Sequence, residues 1–106
     1  MSETTIRKNL DPQILRAIDC GLQILGEESV KRAFYYHVEK RSKMKRQEIP
    51  CNLDAFHKIL IDLFGDGALI LERRMARCLF DELNLKFEVN NGWHLADYVK
   101  KAQRLS

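Results

Sequence analysis

Gly26 stands between two runs that each read as a helix, and this constrains the chain more than any other feature. Before it, Ile14, Leu15, Ile18, Leu22 and Leu25 recur at the spacing of a helix with one buried face. Asp11-Pro12 supplies a start, because aspartate accepts from the free amides of a first turn and proline tolerates the first helical position. Gly26 supplies a stop, since glycine takes left-handed backbone without strain. The pattern predicts helix one over Pro12–Leu25 and helix two over about Glu27–Ser42. With a single turn between them, the two form an antiparallel helical hairpin.

Helix two carries acids at its positive end (Glu27, Glu28) and bases at its negative end (Lys40, Arg41), as the macrodipole favours. Glu27 with Lys31 and Glu28 with Arg32 add pairs one turn apart. Val30, Ala33, Phe34, His37, Val38 and Arg41 read as its inward stripe, leaving Tyr35 and Tyr36 toward the flanks. That register buries His37, which donates to a backbone carbonyl or a neighbouring carboxylate in the core; Glu39, two residues on and off the stripe, is the other polar residue of interest expected to be buried.

Past Ser42 the pattern continues in kind. Ile49-Pro50 forbids helix, and Asn52 is placed to cap helix three, whose Leu53, Phe56, Ile59, Leu60, Leu63 and Phe64 cover more than one face and make it central. Gly65-Asp66-Gly67 breaks the run before helix four, Ala68 to about Leu83, with Leu71, Met75, Cys78, Leu79 and Leu83 inward and Arg73, Arg74, Arg77 and Asp81 outward. From Asn84 to Gly92, Leu85, Phe87 and Val89 alternate with polar residues, the pattern of an extended connector or of a strand completed by a second copy. Helix five follows from Trp93 to Leu105. The fold class is therefore all-α, a single compact helical domain over 11–106 behind a flexible lead-in over 1–10, from which Ile6 and Leu10 can dock on the core.

A chain of 106 residues buries enough surface to need neither metal nor disulfide. Three cysteines without a C-x-x-C pair fit reduced thiols in a cytoplasmic protein. The polar N-terminus lacks an apolar export region, and no run is long enough to span a membrane. The net charge of +3 is concentrated between Glu27 and Arg46, where seven bases face three acids. An acidic partner is sought there first.

No phosphate loop, nucleophile elbow or hydrolytic carboxylate pair is visible, so the expectation is a protein that is not an enzyme and holds no cofactor. Cys51, His57, Cys78 and His94 are zinc-type ligands by chemistry, but their spacing matches no compact metal pattern, so no metal is expected. Nucleic-acid binding is the alternative: Lys40, Arg41, Lys43, Lys45 and Arg46 can neutralise phosphates, with Tyr35 or Tyr36 as a stacking face. A helix-turn-helix reading of Ala68–Leu83 fails because its first turn is apolar where base-reading side chains are needed. Tyr35, Tyr36, Ile70, Phe80 and Trp93 lie off the inward stripes, and those that stay exposed mark a surface for a protein partner or a homodimer, with Tyr35, Tyr36 and Trp93 foremost.

The ordered words Leu25-Gly26-Glu27-Glu28-Ser29, Tyr36-His37-Val38-Glu39-Lys40, Glu48-Ile49-Pro50, Leu63-Phe64-Gly65-Asp66-Gly67-Ala68 with Glu72, and Asp97-Tyr98-Val99 resemble the archaeal Nitrosopumilus output domain family. The resemblance implies a cytoplasmic signalling output domain without established activity. It carries over no catalytic residue. The expected function is a regulatory or protein-interaction module, with phosphate-backbone binding through 40–46 as the alternative.

Overall fold

The computed structural model describes residues 9–106, so most of the expected lead-in, Ile6 included, lies outside the described residues. Five α-helices follow in order: α1 Asp11–Leu22, α2 Glu28–Ser42, α3 Leu53–Phe64, α4 Gly67–Glu82 and α5 Leu95–Leu105. Two short 3-10 segments, Gln23–Leu25 and Arg46–Cys51, lie in the connections, and the described residues contain no strand. The all-α expectation holds.

The helix ends follow local chemistry. The Asn9 side chain accepts from the Asp11 N–H at 2.9 Å, so α1 begins on Asp11 itself and draws Leu10 into the core. Gly26 takes φ 128°, which lets the chain turn sharply between the 3-10 segment and α2. At the far end of α2 the left-handed residue is Lys43, whose N–H donates to the Glu39 carbonyl at 2.7 Å. Lys31 pairs with Glu28 at 3.3 Å, three residues back, in place of the expected bond to Glu27. Asn52 sits at the cap position of α3, but its side chain donates backward to the Glu48 carbonyl at 2.9 Å.

Packing is heaviest where α1 lies on α4, and α3 touches α2, α4, α5 and the Pro50 turn as its broad apolar coverage predicts. Each fully buried large apolar side chain contributes roughly 1.5–3 kcal/mol. By that measure α4, which buries Leu71, Met75, Leu79 and Phe80, anchors the fold, and α2, which buries only Phe34 and Val38, is the least firmly held long helix. Phe34 is its anchor, meeting Phe56 and Phe64 with ring centroids 6.0 and 6.2 Å apart.

The α1–α4 contact also corrects the expectation of three free thiols. Cys20 and Cys78 form a disulfide with their Cα atoms 6.4 Å apart, and only Cys51 is free. Helix packing juxtaposes two residues that are 58 apart in sequence, which spacing rules cannot reveal. After α4 the chain runs as an extended connector, with Phe87 set edge-on against Phe80 at 5.5 Å, and enters α5 at Leu95.

Candidate functional site

The basic stretch after Tyr35 is partly drawn back onto the fold. Tyr35 is half-buried and its hydroxyl donates to Asp19 Oδ1 at 2.5 Å, while Arg46 Nη2 reaches Asp19 Oδ2 at 2.7 Å. The Arg46 guanidinium lies 5.5 Å from the Tyr35 ring centre, so one aspartate on α1 clamps α2 and the second 3-10 segment together. Burial, reinforced by the Asp19 carboxylate, pushes the Tyr35 phenol well above its ordinary value of 10.0. Arg41 stands 3.8 Å from Asp62, and Lys40 lies 5.7 Å from the Tyr36 ring centre. Of the five candidate phosphate binders, Lys40, Lys43 and Lys45 form no ion pair among the described residues, and of these three only Lys40 lies against an aromatic ring.

His37 and Glu39 are exposed, which corrects their expected burial. Phe34 and Val38 are the only buried residues of α2 and Tyr35 flanks them, so the helix is rotated and the Val30, Ala33 and His37 edge faces out. Periodicity with so few apolar anchors does not fix that rotation. The three aromatic interface candidates separate as well. Tyr35 is the clamp just described, and Trp93 is half-buried with its ring 5.1 Å from Tyr98. Tyr36 stays 59% exposed, with its ring edge-on to His37.

Sequence reasoning missed the most enclosed polar cluster. Glu72 on α4 is 1% exposed, and its two oxygens face different helices. His57 Nδ1 of α3 lies 2.5 Å from Oε2, and the Leu95 N–H, the first of α5, donates to Oε1 at 2.9 Å. A carboxylate from one helix thus satisfies an orphan amide at the start of another. His94 stacks flat on His57, with ring centroids 3.6 Å apart and planes 16° from parallel. The advance signals were an acid at position 72 of the buried α4 stripe, between Leu71 and Met75, and the imidazoles of His57 and His94, which the sequence offered only as zinc-type ligands.

The chemistry open to this cluster is narrow. Rings stacked in near-parallel planes direct their in-plane lone pairs side by side, so both cannot converge on one ion. Among the described residues no three His, Cys, Asp or Glu side chains are grouped to hold a metal. The remaining zinc-type ligands lie elsewhere: Cys78 is bonded to Cys20, and Cys51 lines an open groove of about 570 Å³ between Asp11, Asp54 and Lys100. Neither histidine lines that groove. The arrangement is one of cross-linking three helices.

The outer side of α4 is a further surface. Leu69 and Ile70 are 37% and 59% exposed, and Arg73, Arg74 and Arg77 follow them on the solvent side. Phe80, the other off-stripe residue of this helix, is buried. No helix among the described residues is long and apolar enough to cross a membrane. In comparisons with known proteins, no family profile, curated protein or solved structure matches the chain.

Proposed function

We propose that this chain is a non-catalytic protein-interaction module, an output element of archaeal signalling. Its cytoplasmic setting rests on the family resemblance alone, because the Cys20–Cys78 bond removes the support of reduced thiols. The signalling context rests on the resemblance of its short sequence words. The interaction reading is carried by one observation: Tyr36 stands 59% exposed on α2, a helix that buries only Phe34 and Val38. An exposed tyrosine keeps apolar ring surface in water and offers a polar tip, the pairing that interface cores favour. Exposed Val30 on the same helix adds aliphatic surface. Sedimentation across a concentration series tests the self-association form of this reading. A dimer that weakens on Tyr36→Ala supports it, and a dimer indifferent to Tyr36→Ala removes α2 from the contact.

Phosphate-backbone binding remains the second reading because Lys43 and Lys45 are exposed and form no ion pair among the described residues. Two phosphate contacts predict that the logarithm of duplex affinity falls with the logarithm of salt at a slope of about −2. Duplex binding of that slope, abolished by Lys43→Glu with Lys45→Glu, would replace the interaction reading.

A further inference from the structure

The inward side of α4 is accounted for by Leu71, Glu72, Met75, Ala76, Leu79 and Phe80, all buried. What remains outward is ordered. Leu69, Arg73, Arg77 and Asp81 lie one turn apart on one ridge, with the single acid at its far end, and Ile70 and Arg74 form the ridge beside it. From Leu69 to Arg77 this surface is about 12 Å long. Its first turn is aliphatic and its next two are cationic.

The fold does not explain this grouping. Arg73 and Arg77 are like charges at i,i+4, an arrangement that weakens a helix. None of the three arginines forms an ion pair with a carboxylate among the described residues, and Glu82, near the end of the same helix, is engaged by Arg16 of α1. They also sit in mid-helix, where the macrodipole gives no reason for positive charge.

We infer that the outer face of α4 docks an acidic amphipathic segment of a partner protein, its apolar side chains on Leu69 and Ile70 and its carboxylates on Arg73, Arg74 and Arg77. This rests on the interaction reading above and names the partner's chemistry. Charge complementarity selects the occupant. Guanidinium forks match carboxylates two bonds at a time, and the aliphatic turn has no counterpart on a phosphate backbone. A second copy of this chain brings a net charge of +3 toward a cationic face.

The test is binding of labelled synthetic peptides to the full chain by fluorescence anisotropy. The probes are an amphipathic helix with a glutamate edge beside a leucine edge, the same peptide with glutamine for glutamate, and a random DNA duplex. The glutamate peptide is expected to bind with salt sensitivity, and the glutamine peptide to bind more weakly. Together R73E, R74E and R77E should lower affinity for the glutamate peptide by about tenfold or more, since each charge reversal replaces an attraction with a repulsion. Ile70→Ser should weaken it further, while circular dichroism shows the helices intact. Arg74→Gln alone gives a smaller loss and serves if the triple variant unfolds. Equal binding of both peptides, or no change in the arginine variants, overturns the assignment. So does duplex binding that the same variants abolish in the absence of peptide binding. If Tyr36→Ala removes peptide binding and the arginine variants do not, the contact lies on α2; the α4 assignment then fails while the interaction reading stands.

Discussion

Gly21 of α1 faces Met75 of α4 so closely that a Cβ at position 21 would lie 2.5 Å from Met75 Cγ and 3.0 Å from its backbone nitrogen. The side chain of Met75 can swing aside, but the backbone nitrogen cannot, so the two helices approach this closely only with glycine at the crossing. Gly21→Ala should therefore separate α1 from α4. Overpacking of this kind costs about 1–3 kcal/mol, against about 1 kcal/mol that alanine returns in helix propensity. We expect a net loss on the order of 1 kcal/mol and a melting midpoint lower by several degrees. A midpoint at or above that of the wild type would show that the contact is not limiting.

Glu72 joins three helices through two oxygens, and its loss should be felt at each. Glu72→Ala leaves the Leu95 N–H and His57 Nδ1 without their acceptor inside the fold, at a cost of about 3 kcal/mol. Glu72→Gln retains one acceptor oxygen, so it should cost clearly less. Urea unfolding of both variants checks the order. If alanine and glutamine destabilise equally, the hydrogen bonds to His57 and Leu95 are not what the carboxylate contributes.

The uneven legibility of the chain has a physical basis in these same residues. Ile14, Ile18 and Leu22, and Leu71, Met75 and Leu79, repeat at helical spacing and lie in the core as their pattern implies. A helix with several large anchors has only one rotation that buries them all. On α2 the anchors are Phe34 and Val38 alone, and His37 fits the stripe on paper because a rotation of a fraction of a turn exchanges it with Tyr35. The Glu72 cluster was invisible for another reason. Its partners, His57 and Leu95, are 15 and 23 residues away, on helices whose crossing no local pattern encodes. The Cys20–Cys78 pair was hidden in the same way.

That pair makes stability depend on redox conditions. The bond closes a loop of 58 residues, for which the chain-entropy model gives about 4 kcal/mol of stabilisation over the reduced form. Thermal unfolding with and without a thiol reductant should give two distinct midpoints, the reduced one lower. Cys78→Ser should match the reduced wild type and no longer respond to reductant. Identical midpoints for the oxidised and reduced wild type would mean that the helix packing alone sets the stability.

Tyr35 should set an alkaline limit. Its phenol is held well above its ordinary value of 10.0 by burial and by the Asp19 carboxylate, so the native state favours the protonated form more than the unfolded chain does. A group raised in this way contributes its full stabilisation below its unfolded value and loses it as pH climbs toward the folded value. Stability should be insensitive to Tyr35 ionisation at neutral pH and decline above about pH 10, where the unfolded chain sheds the proton first. Tyr35→Phe removes the hydrogen bond to Asp19, at a cost of about 1 kcal/mol at neutral pH, but it also removes the titrating group. The difference between wild type and variant in urea midpoint should therefore shrink from pH 8 to about pH 11. A gap that stays constant over that range would show that the Tyr35 proton is not linked to folding.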